Sequence, residues 1–124
     1  MSRIVLPWQS LRPDNHRLMP VVRGKRAFLI TAPEYRAAKY EAELRMKAQW
    51  RSSGRRMLEG DVSLHAVLWV PDRRKRDVTN YSKLLQDAMT GIVFADDAQV
   101  VRALWEKRMD RDNPRVELEV EEMP

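Results

Sequence analysis

Residues 61–70, DVSLHAVLWV, lie between Gly60 and Pro71 and hold no residue that breaks extended structure. Val62, Leu64, Ala66, Leu68 and Val70 fall on one side of an extended chain, with Ser63, His65, Val67 and Trp69 on the other. Both sides are apolar enough to predict a strand covered on both faces. Past Pro71 the period changes. Tyr81, Leu84, Leu85, Ala88 and Met89 recur at three- and four-residue spacing, the stripe of an amphipathic helix that starts near Val78 and that Gly91 is placed to end. Val100, Val101 and Ala103 then begin a second strand. A strand–helix–strand unit is the centre of the chain, and the expectation is that it brings Asp77 and Asp97 together at one end.

The flanking segments add partners for this unit. Arg3–Trp8, with Ile4, Val5 and Leu6, reads as a first strand stopped by Pro7. Gln9–Pro20 is a basic loop carrying the turn formers Pro13, Asp14 and Asn15. Val21–Val22 and Ala27–Ile30 flank Arg23-Gly24-Lys25-Arg26 as a hairpin with a basic tip. Thr31 is placed to cap a long helix running from Glu34 to Trp50, whose tyrosines and tryptophan are expected in the core. Arg51–Gly60 is a loop. In Arg115–Val120, Val116, Leu118 and Val120 alternate with Glu117, Glu119 and Glu121, which predicts a strand with one wet face at a sheet edge.

A chain of 124 residues, 44% hydrophobic and 33% charged, is expected to fold as one globular domain over residues 1–124. It has no cysteine and only two histidines, so disulfide frameworks and Cys- or His-rich zinc sites are excluded. No apolar run approaches the roughly 20 residues of a bilayer span, and Met1–Trp8 is too short and too polar for a signal peptide; a cytoplasmic protein is expected. No glycine-rich phosphate loop, G-x-S-x-G elbow or internal repeat occurs.

The net charge of +5 is unevenly placed. Residues 1–30 hold Arg3, Arg12, Arg17, Arg23, Lys25 and Arg26 against Asp14 alone, while the rest of the chain balances. The densest basic run elsewhere is Arg73, Arg74, Lys75 and Arg76, directly before Asp77. Both point toward a polyanion. On the helix that follows, Asn80, Lys83 and Asp87 fall within about 60° of one another, opposite the apolar stripe. Asp96 and Asp97 precede the next strand. Hard divalent cations take oxygen ligands from one or two carboxylates plus phosphate and water, so carboxylates beside cations suit phosphate chemistry. Each group also has a plainer reading: a helix cap for Asp77, an i,i+4 surface pair for Lys83 and Asp87, a turn for Asp96-Asp97.

The order PDRR-R-D-x-x-N-x-x-K over residues 71–83, a short helix, then DD-x-x-V over 96–100 closely resembles the RusA-type Holliday junction resolvases. Leu6-Pro7 and the Ser10…Asn15…Arg17 pattern look like that family's N-terminal segment. The resemblance implies an α+β fold, a small mixed β-sheet packed against two helices. It also implies a homodimeric Mg²⁺-dependent endonuclease (Mn²⁺ substituting) that resolves four-way junction DNA by paired nicks, of a kind common in prophages. Asp77 would be the first essential acid and Lys83 the essential lysine; Asp97, with Asp96 beside it, would close the metal site. Arg12, Asn15, Arg17, Arg73, Arg74, Lys75, Arg76 and Asn80 would contact DNA. The pattern departs at Thr79, where better-known members carry a second aspartate. Asp77, Asp96 and Asp97 with water are then the expected ligands, with Asp87 or Asp72 as substitutes.

Overall fold

The computed structural model describes residues 3–124; Met1 and Ser2, the start of the stretch weighed as a signal peptide, lie outside it. The predicted run forms strand β4, Val62–Val70, and it is the hub of a four-stranded mixed sheet. The other members are β1 (Arg3–Pro7), β5 (Val100–Met109) and β6 (Arg115–Glu122), in the order β1-β6-β4-β5. β4 pairs parallel with β5 and antiparallel with β6, and β6 pairs antiparallel with β1. Two helices, α1 (Pro33–Ser52) and α2 (Ser82–Met89), lie against one face. The fold is α+β, as the resemblance implied.

The core is that covered face. Leu64, Ala66 and Leu68 of β4, Val116, Leu118 and Val120 of β6, and Ile4 and Leu6 of β1 are essentially inaccessible. They meet Tyr35, Ala38, Ala42, Met46 and Trp50 of α1, residues three or four apart that make a narrow seam. Leu84, Leu85, Ala88 and Met89 of α2 and the following Val93 and Phe94 complete the layer. Burying a side chain such as Phe94 is worth about 2 kcal/mol relative to exposure. Gly91 adopts φ +87°, a conformation costly for any other residue, and its N–H donates to Phe94 O at 2.7 Å, turning the chain so that Phe94 enters the core.

Several expectations are corrected. β6 is an interior strand and β5 is the edge. The alternation of Glu117 and Glu119 with apolar residues records a sheet whose second face is open to water, and sequence periodicity reports faces, not edges. On that open face His65 bonds Glu106 at 2.6 Å, Trp69 donates to Glu117, and Arg3 pairs with Glu117 at 2.9 Å. β4 is therefore half-covered there. Thr31 belongs to a strand, and Ala32 precedes the long helix with no side-chain cap; Pro33 at its first position pre-sets the helical φ.

The basic N-terminal segment forms two 3-10 turns, Trp8–Ser10 and Asp14–His16, then a two-stranded hairpin of β2 (Leu18–Arg23) and β3 (Arg26–Thr31) separate from the main sheet. It starts earlier than predicted, because Pro20 is accommodated in β2. None of the described helices is long and apolar enough to cross a membrane.

Candidate active site

The two halves of the predicted site sit at opposite ends of α2. Parallel pairing of β4 with β5 places Val70 beside Met109 and Val62 beside Val100. The loop leaving β4 and the loop entering β5 are thus at opposite ends of the pair, with α2 returning the chain between them. Asp77 belongs to the first loop and Asp97 to the second. A four-residue 3-10 turn (Val78–Tyr81) and the eight residues of α2 separate them, on the order of 20 Å of rise. The expectation that strand–helix–strand brings Asp77 and Asp97 to one end does not hold within one chain. Among the described residues no three His, Asp or Glu side chains converge as a metal site.

At the first end, Asp77 Oδ1 accepts from Thr79 N at 3.0 Å and Thr79 Oγ1 at 2.6 Å. These bonds favour the ionised form and hold its carboxyl below the usual carboxylate range, with Lys107 adding a smaller attraction. Capping and ligation are compatible here, since Oδ1 takes both bonds and Oδ2 is left for an incoming group; Asp77 is exposed. The position that departs from the resembled pattern, Thr79, supplies no carboxylate but fixes the one that is present.

The same end holds a residue that the sequence did not single out. Asp14 Oδ2 accepts from Lys83 N at 2.9 Å, and its Oδ1 accepts from Leu84 N at 3.0 Å and the Tyr35 hydroxyl at 2.9 Å. It caps α2 from a distant turn, placing negative charge at the helix start. Burial, together with that bond, pushes the Tyr35 hydroxyl up. Next to it Asn15 and Asn80 bind each other, Asn15 N to Asn80 Oδ1 at 3.1 Å and Asn80 Nδ2 to Asn15 Oδ1 at 3.0 Å. The only signal in the sequence was that Asp14 is the sole acid of the first thirty residues.

At the other end, Asp96 caps a turn over Asp97–Gln99 in a reciprocal capping box with Gln99. Asp97 is exposed and none of its side-chain atoms takes part in a hydrogen bond or ion pair among the described residues. Asp87, Asp96 and Asp97 line one open depression with Lys39 and Thr90. Lys83 reaches toward it, with its amine 3.0 Å from Asp87 Oδ2.

The basic residues divide. Arg73, Arg74 and Lys75 project from the loop before Asp77. Arg76 is taken up internally: its guanidinium is 2.7 Å from Asp72 Oδ1 and lies over the Trp8 ring at 5.4 Å, with its side chain only 16% exposed. That contact, with the Arg74 N–H, lowers the Asp72 carboxyl to about 2. Arg12 donates to Gln9 O at 3.1 Å and Leu11 O at 2.7 Å, which fixes the first turn of the basic loop; Arg17 N–H donates to Asp14 O and closes the second turn, while Arg17 O accepts from Ala32 N at the hairpin base.

No curated protein matches this chain. A family model described as endodeoxyribonuclease RusA matches residues 12–121, which contain both ends of α2, both strands beside it and the hairpin. The chain belongs to the RusA endodeoxyribonuclease family.

Proposed function

We propose that this protein is a Mg²⁺-dependent, structure-selective nuclease that cuts four-way DNA junctions by paired nicks in recombination and repair, acting as a homodimer inside a bacterial or phage-infected cell. The observation that carries the reading is the family match over residues 12–121. The site supports it with an ionised, exposed Asp77 behind three projecting cations, and with Asp97 in an open depression it shares with Asp87, the carboxylate that pairs with Lys83. Arg73, Arg74 and Lys75 neutralise backbone phosphates, so binding falls with salt and reads shape more than sequence. Lys83 stabilises charge on phosphate oxygens as the bond to phosphorus is broken.

The carboxylates of one chain do not fit a divalent ion, because Asp77 is remote from Asp96 and Asp97. An ion shared by them needs oxygens from two chains, Asp77 of one and Asp96 with Asp97 of another. A twofold dimer supplies this arrangement twice, matching the near-twofold symmetry of a junction and its two opposed strands.

The test is incubation of a synthetic four-way junction with the protein, with and without Mg²⁺, beside Asp77→Asn. Cutting by the unaltered protein in Mg²⁺ alone supports the nuclease. Retention of the junction without any cutting supports a second reading, a binding module without turnover, which the threonine at position 79 favours.

A further inference from the structure

We infer that Lys107 is a positioning residue for the candidate active site: its amine ties the carboxyl end of β5 to the peptide that carries Asp77. The consequence for cutting rests on the nuclease reading above, and the tie itself is tested on the DNA-free protein.

Residues 71–77 belong to no helix or strand, so their placement depends on side chains. Arg76 gives the first hold through its guanidinium, on Asp72 Oδ1 at 2.7 Å and over the Trp8 ring at 5.4 Å. Those contacts fix the side chain of Arg76, not the direction of the peptide after it. Lys107 gives the second: its Nζ donates to Arg76 O at 3.2 Å. A peptide group is planar, so a held Arg76 O orients Asp77 N and Cα as well. The bonds from Thr79 to Asp77 Oδ1 stay within one turn and set the carboxylate against that turn alone. Among the described residues, Lys107 makes the side-chain bond that joins the Arg76–Asp77 peptide to the main sheet. The same amine attracts the Asp77 carboxylate.

The sheet register suits Lys107 to this work. It pairs with Leu68, whose side chain is buried beneath the helices, so it projects toward the helix-covered side. Its neighbours Glu106 and Arg108 project to the open face and bond each other at 2.9 Å. Lys107 enters no ion pair among the described residues, and the bond to Arg76 O uses one of its three donors. The amine borders an open cleft shared with Asp72, Arg73, Arg74 and Met109. Arg73 and Arg74 ride on the loop, whereas Lys107 is fixed by the pairing of β5 with β4. It therefore sets the loop cations and Asp77 in one frame with the sheet. A bond this exposed contributes little to stability, but a reacting group displaced by about 1 Å loses on the order of 10²-fold in rate.

The test uses Lys107→Met, which removes the amine and its charge, and Lys107→Arg, which restores a charged donor. In the unaltered protein the backbone NMR order parameters of Arg76 and Asp77 should lie near the rigid value of about 0.85; Lys107→Met should lower them toward about 0.6, and Lys107→Arg should return them. The thermal midpoint of either variant should stay within a few degrees. In single-turnover nicking of a four-way junction at saturating protein, Lys107→Met should be slower by about tenfold or more, with the salt dependence of affinity unchanged. Order parameters that do not move overturn the inference. So does a full nicking rate at saturation with a salt slope reduced by about 1, which marks Lys107 as a phosphate contact. If the unaltered protein binds junctions and cuts none, the nuclease reading fails, and the order parameters alone decide whether Lys107 holds the loop.

Discussion

Replacing Asp14 should cost this fold more than replacing any other acid on its surface. Asp14→Ala removes the acceptor of two backbone N–H groups at the start of α2 and of the Tyr35 hydroxyl. Loss of a helix cap costs about 1 kcal/mol, and a hydroxyl left unsatisfied in a partly buried position about 1–2 kcal/mol more. Water reaches Lys83 N more easily than Leu84 N, so the sum is about 2–3 kcal/mol. For a domain of this size that is a fall in Tm of about 10 °C. Asp14→Asn, which keeps Oδ1 as an acceptor, should lose about half as much. Urea unfolding followed by tryptophan fluorescence measures each variant, and a cycle with Tyr35→Phe should show about 1 kcal/mol of coupling. A loss below about 0.5 kcal/mol for Asp14→Ala, or strict additivity with Tyr35→Phe, would refute the cross-chain cap.

The other consequences are separate. Thr79→Val removes the hydroxyl that bonds Asp77, so the Asp77 carboxyl should titrate closer to the ordinary range by NMR, while Thr79→Ser should leave it depressed. Phe94→Ala should lose about 3–5 kcal/mol in urea, since Phe94 is fully buried and Gly91 fixes the turn that puts it there. Arg73→Ala with Lys75→Ala should reduce the slope of log affinity for a junction against log salt by about 2, whereas Arg76→Ala should act mainly on stability. Asp72 has its folded pKa lowered, so its contribution is complete above the unfolded value near pH 4 and is lost as pH falls toward about 2; acid unfolding of Asp72→Asn should lack that component.

The strand–helix–strand centre was legible because each period is carried by core residues: the two-residue period of Val62–Val70 and the helical period of Leu84, Leu85, Ala88 and Met89 both mark the buried layer. The edge strand was not legible. Glu117 and Glu119 announce a wet face, and an interior strand of a one-sided sheet has such a face as surely as an edge strand does. The carboxylates were identifiable as a set through the order of motifs, but their spacing along the chain concealed a parallel crossover that sends Asp77 and Asp97 to opposite ends. Asp14 was read as a turn former because its partners, Lys83 N and Leu84 N, lie about seventy residues away and are backbone groups, which leave no mark in side-chain pattern. Arg76 looked like its basic neighbours; only packing against Trp8 and Asp72 sets it apart.

Mixing two inactive chains tests the shared-ion site most directly. Asp77→Asn and Asp97→Asn proteins should each leave a four-way junction intact in Mg²⁺. After joint unfolding and refolding, half the dimers are mixed, and each holds one site with both aspartates, so nicking should return to about a quarter of the unaltered level. Failure of the mixture to nick, with mixed dimers verified by mass, would contradict a site built from two chains.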